Sequence, residues 1–188
     1  VRSGTIKRVL IYFGGGADSE DLTGMALQAF VIPELLNIDL DIVVGKAYAH
    51  RVKLEEAAAD RGRVRIHSQL SDLADLMAQA DFAIGAGGAT TWERCCLGIP
   101  TIAISLADNQ EQIAERLNSE GVIKWVGNKE SINCGGLKEQ FLSFLETADT
   151  GIDRDRQCTL VDGRGVLRIV TALYARRAQN VEIRPAVI

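Results

Sequence analysis

At 188 residues, 47% hydrophobic and 24% charged, with a mean hydropathy of +0.06, the chain is sized and mixed for a single globular domain with a sizeable core. A net charge of -4 and a pI near 5.3 give no general attraction to nucleic-acid backbones, so any phosphate must be held locally. No apolar run approaches the ~20 residues of a membrane span, and Cys95, Cys96, Cys134 and Cys158 form no C-x-x-C pair, so no span, zinc site or disulfide framework is expected.

The opening, VRSGTIKR, lacks the layout of a signal peptide and does not begin with methionine. We therefore expect a reduced, cytoplasmic protein and a chain cut from something longer.

In chain order, the first apolar run, RVLIYF (8–13), ends in Gly14-Gly15-Gly16 and precedes a helical pattern over 21–36. Asp18, Glu20 and Asp21 crowd the start of that helix, where carboxylates complement the macrodipole, and Asp18 is also placed to meet a sugar. LDIVV (40–44) is followed by a helix over 50–61. VRIH (64–67) is followed by one over 70–79, in which Leu70, Leu73, Leu76 and Met77 recur at helical spacing behind Ser68 and Ser71 as caps. FAIGA (82–86) runs into Gly87, Gly88 and a short helix over 90–97; TIAIS (101–105) precedes Asp108, Asn109 and Gln110 at the start of a helix over 109–120. VIKWV (122–126) precedes a helix over 137–147, and beyond the break DGRG a last helix over 165–178 carries the stripe Val166, Ile169, Val170, Leu173.

Continuous Val- and Ile-rich runs mark strands buried on both faces, and strict alternation with helices gives an α/β, doubly wound, Rossmann-like parallel sheet of about six strands. The expected order 3-2-1-4-5-6 makes the first and fourth strands neighbours at the switch point, where ligands bind beyond the carboxyl ends. The two glycine clusters that directly follow a strand would then face each other across one crevice. Glycine lets a backbone approach a ligand closely and a helix start attracts anions, so a phosphate or diphosphate is the natural guest. The plainer reading is two tight βα turns.

The dinucleotide fingerprint is incomplete, since Ser19 stands where its third glycine would be and VVGKAY ends the second strand without an acidic residue. No G-x-x-x-x-G-K-[ST] loop is present either.

Glu93 is pivotal. With Thr90 as N-cap it occupies N3 of a T-x-x-E capping box. Alternatively its carboxylate accepts from both hydroxyls of a ribose while Thr90 and Thr91 hold the adjoining phosphates. Asp108 or Asn109 similarly reads as an N-cap, or the amides of Asn109 and Gln110 reach a sugar. His50 and His67 stand apart from any expected nucleophile or metal ligand, with His67 on the ligand-facing edge.

The segments VLIYFGGGADSEDLT and ADFAIGAGGATTWERCCLGIPTIAISLADNQ resemble the C-terminal half of GT-B glycosyltransferases related to the lipid II-forming N-acetylglucosaminyltransferase. More closely, the pattern Gly87, Gly88, Thr91, Trp92, Glu93, Leu97, Gly98, Pro100, with DNQ at 108–110 and VDGRGVLRIV at 161–170, resembles the UDP-sugar hydrolase of the pseudaminic acid pathway. The resemblance covers roughly 7–178, and it implies one UDP-sugar-binding domain over 1–180, with 181–188 a linker or the start of a further domain. It implies that Glu93 binds the ribose, that Gly14, Gly15, Gly16, Gly87, Gly88, Thr90 and Thr91 hold the diphosphate, and that Asp108, Asn109 and Gln110 approach the sugar. It further implies no cofactor beyond the UDP-sugar substrate, and a catalytic base on an N-terminal half that pairs with this one. Hydrolysis of an amino-deoxy sugar nucleotide is the first expectation; a glycosyltransferase donor domain and a non-catalytic sugar-nucleotide module are the alternatives. GGGAD has one small residue more than the family's usual GGSD, which leaves the role of Gly16 open.

Overall fold

Strands and helices alternate as β1 (Arg8–Tyr12), α1 (Leu22–Ala29), β2 (Asp39–Val44), α2 (Arg51–Arg61), β3 (Val64–Ser68), α3 (Ala74–Gln79), β4 (Phe82–Ala86), α4 (Thr90–Cys96), β5 (Thr101–Ser105), α5 (Asp108–Ser119), β6 (Lys124–Asn128) and α6 (Cys134–Glu146). Helices α7 (Arg154–Leu160) and α8 (Gly165–Gln179) follow. This computed structural model describes residues 5–16, 18–146 and 152–179. The expected boundary at residue 180 and the segment 181–188 lie outside them.

All six strands are parallel and ordered β3-β2-β1-β4-β5-β6, as the sequence implies. Period-two alternation divides the core. Val9, Ile11, Ile42, Phe82, Ile84 and Ile102 pack on one face against Ala26, Leu27, Leu54 and Phe141 from α1, α2 and α6. Leu10, Val43 and Ala83 pack on the other against Met77 from α3, and Ala103 against Cys95, Ala114 and Leu117. Ring contacts of 4.6 Å between Phe30 and Phe141 and 5.2 Å between Phe82 and Phe141 fasten α1 and α6 to β4.

Several elements differ from expectation, among them α6, which starts three residues early at Cys134. The first helix stops at Ala29, because Pro33 lacks the amide a helix interior needs; Pro33–Leu35 form a 3-10 turn instead. Residues 70–73 lie outside α3, which begins at Ala74, and neither Ser68 nor Ser71 caps it: the Asp72 carboxylate takes the Ala74 amide at 3.0 Å. β6 runs two residues later, because Val122 folds its amide onto the Leu117 carbonyl at 2.8 Å before the strand begins. The stripe on α8 is present but uncovered, with Val166 76% and Leu173 63% exposed. Among the described residues no helix is long and apolar enough to cross a membrane.

Candidate functional site

Tyr12 at the end of β1 lies in register with Gly85 of β4, so the loops after these strands leave the sheet side by side. Only glycine fits at 85: a Cβ there would collide with the Tyr12 carbonyl oxygen and lie 2.6 Å from Arg94 Nη1. Gly45, directly after β2, likewise makes room for the Gly15 carbonyl, so the first glycine loop rests on the end of β2. A cavity of about 870 Å³ opens at this edge, lined among others by Gly15, Lys46, Leu70, Thr90 and Glu93. Gly15, Thr90 and Glu93, from the two separate motifs, thus share one cavity.

The first loop turns at Gly14, with φ +109, and exposes Gly15 and Gly16. The helix behind it is not open to a ligand. Asp18 accepts from the amides of Leu22 (3.0 Å) and Thr23 (2.9 Å), and Asp21 accepts from the Gly24 amide at 3.0 Å. The donors that a helix start leaves unpaired are therefore taken by the chain's own carboxylates. Asp21 also receives the Tyr48 hydroxyl at 2.6 Å and Lys53 Nζ at 2.9 Å. Burial pulls its carboxyl upward, but the bonds from Tyr48 and Lys53 outweigh that and hold it below the ordinary range. Asp18 is thus an internal cap, not a group aimed at a sugar, and Glu20 pairs with Lys129 at 2.7 Å.

The second loop is different. α4 begins at Thr90 itself, and Ala89, already helical at φ -55 and ψ -37, makes no side-chain cap. The expected capping box is therefore not formed, because Thr90 would need the extended backbone of an N-cap residue to carry its hydroxyl back over the helix end. Glu93 is left exposed on the cavity wall beside Thr90. Thr91 is turned inward, 2% exposed: its hydroxyl donates to the Ala86 carbonyl at 3.3 Å and accepts from Arg94 Nη2 at 3.0 Å.

Asp108, Asn109 and Gln110 form the first turn of α5, whose cap position is Ala107, so neither Asp108 nor Asn109 caps it. None of the three lines the cavity. Gln110 accepts from the Leu106 amide at 2.9 Å and packs beneath Gly87 and Gly88, with Nε2 3.4 Å from where a Cβ on Gly88 would stand. Gln110 therefore braces the second glycine loop.

Sequence reasoning missed the far wall of the cavity, where Leu70 and Leu73 of the β3–α3 loop join Val43 and Leu97. It took both loop leucines for helix core. Lys46, which brings a cation to the cavity, was legible as a lysine directly after the glycine that follows the second strand. His67 proves structural: its Nε2 lies 2.7 Å from Asp41, a carboxylate buried within β2 that also pairs with Arg65 at 2.9 Å. Burial pushes the Asp41 carboxyl up, yet the bonds from Arg65 and His67 bring it below its ordinary value.

No family model matches the chain. It is 24% identical over 176 residues, 93% of its length, to the spore coat polysaccharide biosynthesis protein SpsG of Bacillus subtilis (strain 168), and it spans about half (52%) of that relative. Among solved structures it superposes on Acinetobacter baumannii MurG with a TM-score of 0.66 at 17% identity, over 91% of this chain and 52% of that one. The fold is GT-B glycosyltransferase-like. A UDP-GlcNAc 2-epimerase from Neisseria meningitidis, determined with UDP-GlcNAc bound, superposes almost equally, with a TM-score of 0.65 at 18% identity over 92% of this chain and 45% of that one. At these identities the likeness concerns the fold, which hosts more than one reaction.

Proposed function

We propose that this chain is the UDP-sugar-binding domain of a glycosyltransferase-like enzyme. The observation that carries the reading is the meeting of Glu93 and Thr90 with the Gly15 backbone in one cavity at the carboxyl edge of β1 and β4. Glu93, with no hydrogen bond to a helix cap, has both carboxylate oxygens available for the two hydroxyls of a ribose. Gly15, Lys46 and Thr90 line the cavity where we assign the diphosphate, and the rest of the two loops, Gly14, Gly16, Gly87 and Gly88, would complete its holder. The apolar wall of Val43, Leu70, Leu73 and Leu97 suits a planar base. Thr91 and Gln110 act from behind, by holding the second loop in place, and the sugar contact expected of Asp108 and Asn109 would lie outside this cavity.

Transfer and hydrolysis both break the bond between the anomeric carbon and the diphosphate oxygen, which leaves with the electron pair. The groups here would stabilise the negative charge that accumulates on that departing oxygen. Glycosyltransferases among the fold neighbours favour transfer. The resemblance carried by Thr91, Trp92 and Glu93 and by D-N-Q at 108–110 favours hydrolysis as the second reading.

Titrating UDP, CMP and ADP against the chain by NMR tests the binding reading. A few charge-assisted bonds, less association costs, give UDP a Kd of ~0.1–1 mM, with shifts at Gly87, Thr90 and Glu93. Equal affinity for the three nucleotides refutes it. In the full-length enzyme, UDP release from a UDP-sugar that needs an added acceptor means transfer; release without one means hydrolysis.

A further inference from the structure

Two buried arginines are satisfied very differently. Arg61, 8% exposed, engages every nitrogen: Nε with the Phe30 carbonyl (3.2 Å), Nη1 with Gly62 (2.9 Å), and Nη2 with Leu35 (2.8 Å) and Ile38 (2.9 Å). It closes the turn after α1. Arg94 is only 1% exposed, and its Nη2 donates to the Ala86 carbonyl at 2.7 Å and to Thr91 Oγ1 at 3.0 Å. Its Nε has no partner, and among the described residues no carboxylate lies within ion-pairing distance. Burial lowers its pKa to about 10, so the guanidinium is charged at neutral pH.

A buried cation is costly unless an anion compensates it; the hydrogen-bond acceptors here are neutral, and the adjacent Glu93 carboxylate acts on the guanidinium only through space. The place of Arg94 in the fold is informative. Nη1 fills the space beside Gly85 where the β1 and β4 ends meet, and Nη2 holds the Ala86 carbonyl that directly precedes Gly87 and Gly88. Its neighbour in sequence, Glu93, points the other way onto the exposed cavity wall. A charge sealed from water and salt acts over a longer range than an exposed one.

We propose that Arg94 is a positioning residue of the diphosphate site: it holds the Ala86 carbonyl and Thr91, the two ends of the loop that carries Gly87 and Gly88, and its guanidinium is the fixed positive charge that a bound diphosphate compensates. This rests on the cavity's holding a nucleoside diphosphate, as proposed above. The charge favours the diphosphate and not the nucleoside, so the informative quantity is the affinity ratio of UDP to uridine.

The test measures UDP, uridine and pyrophosphate binding by NMR to the unsubstituted chain, Arg94→Met and Arg94→Lys, each with a thermal melt. Arg94→Met should weaken UDP and pyrophosphate about tenfold while leaving uridine within about twofold. Arg94→Lys keeps the charge and should keep the ratio even where its melting temperature falls. A proportional loss of UDP and uridine in Arg94→Met, no loss at all, or a collapsed ratio in a folded Arg94→Lys overturns the proposal while the cavity reading stands. If Arg94→Met does not fold, the lysine variant decides. Failure of all three ligands to bind the unsubstituted chain overturns both.

Discussion

After β1 the chain covers the start of its next helix with its own carboxylates, Asp18 and Asp21; after β4 it starts α4 at Thr90 with no side chain on the helix end. In sequence the two regions look alike, each a strand, a glycine cluster and a helix. The difference shows that glycines before a helix do not by themselves make an anion site. What matters is whether the chain's own carboxylates already cover the helix end, since at α4 the Thr91 and Trp92 amides are also taken, by the Gly88 and Ala89 carbonyls at 3.0 and 3.1 Å. The first region uses them for the fold, where Asp21 ties α1 to Tyr48 and Lys53. The second leaves Glu93 and Thr90 on the cavity and hides Arg94 beneath.

This division gives substitutions at the two loops opposite signatures. The largest expected effect is on stability: Asp21→Ala removes a helix cap and leaves the Tyr48 hydroxyl without its acceptor, at a cost of about 2–3 kcal/mol in urea unfolding. UDP affinity of the folded fraction should stay within about twofold. A large loss of affinity with little loss of stability would break the contrast.

Glu93→Ala should do the reverse, weakening UDP about tenfold with stability changed by less than ~0.5 kcal/mol. Glu93→Gln sharpens this, since glutamine keeps the size and helix preference of glutamate but is a poorer acceptor for two ribose hydroxyls. If both variants leave UDP binding and the fold unchanged, a non-catalytic module becomes the better reading.

The smallest effect is the share of the acid dependence that the first loop carries. Asp21 titrates below its ordinary 3.8 when folded, so its stabilisation is fully present above that pH and is lost as the pH falls through the lower folded value. As the pH falls below about 3.8, the loss of stability should be shallower in Asp21→Asn than in the parent, with Asp41 supplying much of what remains. Equal acid slopes in the two chains would show that the Asp21 cluster contributes nothing.

The strand runs were legible because burial on both faces demands unbroken Val and Ile, as in RVLIY and TIAIS, and their alternation with helices leads to the sheet order and the crevice. The loop at 70–73 was not legible, because Leu70 and Leu73 fall at helical spacing whether they pack in a core or line a cavity. Nor was the division of labour between Thr90 and Thr91. A start of α4 at Thr90 instead of after it turns one hydroxyl toward the cavity and the other toward Arg94.

The sequence by itself determined the α/β architecture, the parallel order and the neighbourhood of the two glycine loops, because those follow from periodicity and connection rules that act locally along the chain. Only the tertiary structure decided which carboxylates are consumed by the fold and which face a ligand. Asp18, Asp21 and Glu93 all sit near helix starts in the sequence, and their separation depends on hydrogen-bond partners and helix ends that the packed sheet sets within a few ångströms.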